Sequence, residues 1–313
     1  MLNINSTNVR HAAAIVLLCA LLSLSACVRQ ALSPNADTAT THRTVVDEAG
    51  RQVKLPAKVD RFVSLAPNVT EIVYAIGAGD GLVGRTTFCT FPAEAKQVPE
   101  VGDTLKPSIE RIIALRPQVV FVSTASQLEA FTSQLANQQI AVYVTDPHDL
   151  EGVFNSINGI AQLLGKGQQA DQLLNELRAR ATTVETAVKQ QGPVRVFYQV
   201  SDQPLYTIGR DAFITDLIKR AGGASVTADV PGAWPRYSDE SALASKPEAI
   251  ILPTGGSMGD ANSTPAAALK QSPAAVTGRV YKINDDLLSR PGPRAVDGLE
   301  QLARALHPES FKK

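Results

Sequence analysis

Ser108-Ile109-Glu110-Arg111-Ile112-Ile113-Ala114-Leu115-Arg116-Pro117 leads into the apolar run Val119 to Val122, and the same plan returns in the second half of the chain. There it reads Ser238-Asp239-Glu240-Ser241-Ala242-Leu243-Ala244-Ser245-Lys246-Pro247, followed by Ala249 to Leu252. A serine two places before each glutamate caps a short helix. The proline seven places after it, behind a basic residue, ends that helix and releases the chain into a buried strand. A second pair agrees: Thr70-Glu71-Ile72-Val73 runs to Gly77, and Thr215-Asp216-Leu217-Ile218 runs to Gly222. Two lobes built to one plan hold something in the cleft between them, and matched glutamates let a second protein grip both lobes at once.

The front of the chain is a leader. Arg10 and His11 precede an apolar stretch from Ala12 to Leu22, too short for a dedicated membrane span. Leu24-Ser25-Ala26-Cys27 closes it in the pattern of a bacterial lipobox. Residues 1–26 therefore read as a lipoprotein signal peptide, with Cys27 as the lipidated residue. Of the three cysteines, Cys19 lies in the leader and Cys27 carries lipid, so Cys89 has no disulfide partner. Residues 27–42 lack apolar periodicity and read as a flexible tether. The expected location is the periplasmic or cell-surface side, anchored to a membrane by lipid.

About 270 residues remain, enough for two domains of ordinary size. Lys+Arg and Asp+Glu number 30 each, so nucleic-acid binding has no electrostatic support. The sequence predicts a hairpin over Thr44 to Leu55, then alternating strands and helices. The strand-like runs are Arg61 to Ala66, Leu82 to Arg85, Val119 to Val122 and Ile140 to Val144. They resume at Val194 to Val200, Val226, Ala249 to Leu252 and Val280 to Ile283, and a last helix starts near Pro293. Short buried strands alternating with helices predict parallel α/β sheets. Between the halves, Asp149 caps one helix. A second, unbroken by Pro or Gly, places Ala170, Leu173, Leu174, Leu177, Ala181, Val184 and Val188 at helical spacing. The expected fold is α/β: two Rossmann-like lobes at 43–166 and 192–313, each a parallel sheet flanked by helices. One long rigid helix at 167–191 joins them, and the ligand cleft lies between.

Further segments carry a family likeness: Arg61-Phe62-Val63-Ser64-Leu65-Ala66-Pro67-Asn68-Val69-Thr70-Glu71, Phe91-Pro92 through Val101-Gly102, and the Glu110 helix. In the second half they are Leu205-Tyr206-Thr207-Ile208-Gly209, Trp234-Pro235, and Ser289-Arg290-Pro291-Gly292-Pro293-Arg294. From about Thr44 to Pro308 the chain resembles the helical-backbone (class III) substrate-binding proteins of ABC importers, and most of all the branch that binds cobalamin. The resemblance implies a non-enzymatic transport protein with no catalytic cofactor. Its partners would be a permease and ATPase complex at the inner membrane, its ligand cobalamin or another corrinoid, and its state monomeric. Glu110 and Glu240 match the permease-docking positions. Phe88, Tyr206 and Trp234 match the aromatics around the corrin, with Asp286 and Arg290 at the rim. The sequence departs from the pattern at Thr104 and Ser123, where the cobalamin binders carry tryptophan. The same machinery with haem or a ferric siderophore is the alternative, for which Arg290 and Arg236 are a thin supply of cations.

Competing motifs are weaker. Gly79-Asp80-Gly81-Leu82-Val83-Gly84 matches a dinucleotide fingerprint literally, but it follows a helix and leads into a strand, the reverse of what phosphate binding needs. His148 reads as a turn residue with a minor alternative as a haem-iron or cobalt ligand, and scattered histidines offer no dedicated metal-ion site. No G-x-S-x-G elbow, H-E-x-x-H or phosphate loop supports an exported enzyme. Phe88 and Phe91 follow a strand end where ligand loops sit, with one of the two expected in the core, and Tyr198 is expected there too.

Overall fold

The computed structural model describes residues 42–104, 106–123, 128–256 and 261–312. The leader, Cys27 and nearly all of the tether lie outside the described residues.

An antiparallel hairpin opens the fold, β1 (His42–Val46) and β2 (Gln52–Pro56). Four parallel strands follow: β3 (Phe62–Ser64), β4 (Leu82–Arg85), β5 (Val119–Ser123) and β6 (Ala141–Thr145), in the order β4-β3-β5-β6. Their crossovers contain α1 (Pro67–Ala75), α2 (Ile109–Ala114) and α3 (Leu128–Ala136). β3 is shorter than Arg61 to Ala66 because Ala66 serves as N-cap and Pro67, with its fixed φ, starts α1. The open edge of β6 is covered by the hairpin's end. Glu48 N–H donates to Val144 O at 3.1 Å, and Val144 N–H donates to the Asp47 carboxylate at 3.3 Å.

Two helices bridge the halves, α4 (Leu150–Leu163) and the 22-residue α5 (Gly167–Val188), which is about 33 Å long at 1.5 Å per residue. The second sheet contains β7 (Val194–Asp202), β8 (Leu205–Thr207), β9 (Gly223–Ser225), β10 (Ala249–Thr254) and β11 (Val280–Asn284). Its parallel core runs β11-β10-β7; β9 lies parallel to the start of β7, and β8 folds back antiparallel to its end. The sequence missed that hairpin, and it placed a strand at Val226 where β9 stops one residue earlier. Around this sheet lie α6 (Phe213–Arg220), α7 (Asp239–Ala244), α8 (Pro273–Val276), α9 (Asp285–Leu288) and α10 (Ala295–Leu306).

Strand alternation explains the layering. Val119 and Phe121 face one core while Val120 and Val122 face another on the opposite side with Ile112 and Leu135. Phe121 sits edge-on to Phe62 and Tyr143, at centroid separations of 5.7 and 5.8 Å. Such pairs contribute about 0.5–1.5 kcal/mol each beyond their burial. In the second sheet Ala249 and Ile251 join the same core as Val119, whereas Ile250 and Leu252 pack on the far side with Ala242. The central core is therefore continuous through α4 and α5, which contribute Ile157, Ile160, Leu177 and Val184. The two short helices α2 and α7 occupy equivalent outer faces. Gly77 and Gly222, the ends of the second repeated motif, both take left-handed φ (68° and 78°), which only glycine adopts without strain.

Candidate ligand cleft and docking faces

The cleft lies between the lobes, where the carboxyl ends of parallel strands place loops, the usual position of ligands in α/β folds. β4 delivers the turn holding Phe88, fixed by Cys89 N–H to Thr86 O (3.1 Å) and Thr87 N–H to Gly102 O (3.0 Å). Tyr206 stands on β8. Trp234 lies in a loop held on both sides, by Thr207 N–H to Pro235 O (3.1 Å) and Gly209 N–H to Ala233 O (3.0 Å). Gly209 is required there, since a Cβ would sit 2.2 Å from Gly232 O. Phe88, Phe91, Tyr206 and Trp234 are 42, 43, 36 and 43% exposed. These values are unusual for such large apolar groups, and they make the rings available to a ligand.

Two expectations change here. Neither Phe88 nor Phe91 is core; the Arg294 guanidinium stacks on one side of the Phe91 ring, 3.9 Å from its centroid. Asp286 and Arg290 do not form an open rim. Arg290 is buried and paired with Asp286 at 2.8 Å and with Glu71 of α1 at 3.4 Å. Arg294 makes a two-bond clasp on Glu71, at 2.9 and 2.5 Å. A buried guanidinium requires such counter-charges, and α1 brings one from the other lobe. Asn68 adds a bond from Nδ2 to Pro291 O at 3.3 Å. Burial lowers the pKa of Arg294, but the hydrogen bonds and charge of Glu71 outweigh it and hold it above its ordinary value. The result is a neutral junction of two arginines and two carboxylates. Glu71 is remote in sequence from the other three groups, and its local sign was the Thr70-Glu71 segment on α1.

Thr104 and Ser123 are both half-buried. Cys89 is wholly buried, with its Sγ 3.2 Å from Thr86 Oγ1. Tyr198 is core as expected. His148 is exposed and contacts Asp146 at 3.1 Å. The Gly79–Gly81 stretch is a 3-10 turn ahead of β4.

Ser108 Oγ accepts Arg111 N–H at 3.3 Å, and Ser238 Oγ accepts Ser241 N–H at 3.1 Å, so both duplicated helices are capped as the sequence requires. Glu110 and Glu240 are exposed at their starts. Each is held below the usual carboxylate range by its own backbone N–H and then by the neighbouring serine hydroxyl, which keeps both ionised. A groove of about 580 Å³ adjoins Glu240, lined also by Asp202, Arg236 and Asp239.

A model of the periplasmic binding protein family matches residues 62–287. The chain belongs to that family. This binding protein is 31% identical over 283 residues to YvrC of Bacillus subtilis, an uncharacterized ABC transporter substrate-binding lipoprotein. That match covers 86% of this chain and 87% of YvrC. The periplasmic vitamin B12 binding protein BtuF of Vibrio cholerae superposes with a TM-score of 0.71 at 26% identity, covering 82% of this chain and 99% of BtuF. The periplasmic heme-binding protein RhuT of Roseiflexus sp. RS-1 gives 0.70 at 25% identity, covering 80% and 99%. This binding protein is accordingly the substrate-binding component of an ABC transporter, and not an enzyme.

Proposed function

We propose that this binding protein carries cobalamin or a related corrinoid between its lobes and delivers it to the permease and ATPase of an ABC importer, while a lipid on Cys27 holds it at a membrane. The observation that carries the ligand assignment is the combination of exposed rings with spent charge. Phe88, Tyr206 and Trp234 offer flat apolar faces. Arg290 and Arg294 are already paired with Glu71 and Asp286. A corrin presents a broad ring with uncharged amide arms, which suits aromatic walls and a neutral polar junction. Asp286 and Arg290 address the amides from that junction. A haem with its propionates, or an anionic ferric chelate, gains more from cations without partners.

Haem is the second reading, favoured by the likeness to the heme-binding RhuT and by the exposed Arg236 two residues beyond Trp234. The visible spectrum of protein purified from its host, followed by calorimetry with cyanocobalamin and with haemin, separates the two. Cobalamin binding is the expected result. Haemin binding without cobalamin binding would overturn the ligand while leaving the transport role in place. Docking rests on Glu110 and Glu240, one on each lobe.

A further inference from the structure

Among the described residues, three that are not glycine have positive φ: Arg116 (48°), Gln139 (61°) and Lys246 (42°). Two of these stand at the same place in the duplicated segment, at the end of α2 and of α7, each before a buried proline. Glycine is the residue that takes this conformation without strain. Both lobes nonetheless carry an exposed cation there. Counting back three residues at a time gives Glu110-x-x-Ile113-x-x-Arg116 and Glu240-x-x-Leu243-x-x-Lys246. Leu243 is 52% exposed, among the most open large apolar side chains described; Ile113 is half-buried. Each copy thus carries an acid, an aliphatic group and a base at three-residue spacing, although Ile113 packs partly against the core of its lobe. A base near a helix C-terminus is also favoured by the helix dipole, which explains a cation at one end but not the recurrence of the whole triplet.

We propose that Arg116 and Lys246 are recognition residues for the permease beside Glu110 and Glu240, each meeting an acidic group on that partner. This rests on the docking reading of Glu110 and Glu240. The mixed charge specifies register: a partner with basic residues alone would attract the glutamates but repel Arg116 and Lys246.

The test measures binding to the cognate permease–ATPase complex in nanodiscs, with melting temperature as the control for folding. Arg116→Gly with Lys246→Gly keeps the turn geometry, so the melting temperature holds or rises. Losing two exposed charge pairs weakens complex formation between about twofold and thirtyfold. Arg116→Lys with Lys246→Arg retains binding. Should the glycine pair fold poorly, Arg116→Gln with Lys246→Gln reads the charge alone. Glu110→Lys with Glu240→Lys is run beside them. If the glutamate variant loses binding and the glycine and glutamine pairs do not, the proposal for Arg116 and Lys246 is wrong and glutamate docking stands. If none of these variants changes binding, both fail.

Discussion

Arg294 reaches from the second lobe to clasp Glu71 of the first, its Nε and Nη2 lying 2.9 and 2.5 Å from the two carboxylate oxygens. The residues are far apart in the chain, yet the Glu71 side chain is almost wholly enclosed. This contact and the Arg290 pair fix how α1 meets the loop ahead of α10.

Glu71→Ala is expected to lower stability by about 3–5 kcal/mol, because it removes the carboxylate that clasps Arg294 and one of the two that pair with the buried Arg290. Arg294→Lys should recover little, since an ammonium cannot reproduce the two-bond fork. Urea titrations of the three proteins measure both effects. A loss for Glu71→Ala below about 1 kcal/mol, the range of exposed pairs, would show that the junction is not a significant source of stability.

Trp234→Ala is expected to weaken cobalamin binding by about 2 kcal/mol or more, some thirtyfold, as truncation of a central aromatic anchor does. With Thr104 and Ser123 in place of two large rings, the wall of the first lobe should be shallower, and Trp234 should take a correspondingly large share. Its loop is held through the backbone of Ala233 and Pro235, so stability should shift by no more than about 0.5 kcal/mol. Calorimetry and thermal melts of the same preparation check the two halves of this expectation.

Cys27→Ala should abolish fatty-acid incorporation and leave the leader uncleaved by the lipoprotein peptidase. Metabolic labelling reads the first effect and the mature N-terminus the second. A wild-type protein that takes up no label would remove the lipid anchor from the proposal.

Tyr143 titrates late. Burial first, then the negative charges of Glu48 and Asp47, push its phenol up to about 12 from the usual 10. The folded state then binds the proton more tightly than the unfolded chain, so stability must fall as pH rises from about 10 to 12 and be unaffected by this group below that window. Tyr143→Phe should flatten that alkaline limb in urea titrations run at several pH values. An unchanged slope would place the proton release elsewhere.

Much of this was legible locally. Ser108 and Ser238 cap the helices they were read to cap, Pro117 and Pro247 end them, and Asp149 accepts Gly152 N–H at the start of α4. Caps, breakers and strand alternation act within a few residues, so a single chain displays them. The junction did not show itself because no local rule joins Glu71 to Arg294. An arginine in Ser289-Arg290-Pro291-Gly292 reads as a surface cation until the element packed over it is known. One of Phe88 and Phe91 was expected in the core by its apolarity, but both are exposed, and Phe91 is stacked by Arg294. The β7–β8 hairpin was hidden for a related reason: Gln203-Pro204 marks a turn, while the three residues of β8 are too few to display alternation.

The apolar core that passes from one sheet through α4 and α5 into the other has a thermodynamic consequence. Arg178 ties α5 to Glu151, Arg180 ties it to Asp297 and Glu300, and Glu185 ties it to Arg220, so the helix is fastened on both sides. Neither lobe can lose its tertiary packing without stripping cover from the other. Scanning calorimetry should therefore record one endotherm whose calorimetric and van't Hoff enthalpies agree. A protease should find no long-lived half-molecule on the way to the unfolded chain.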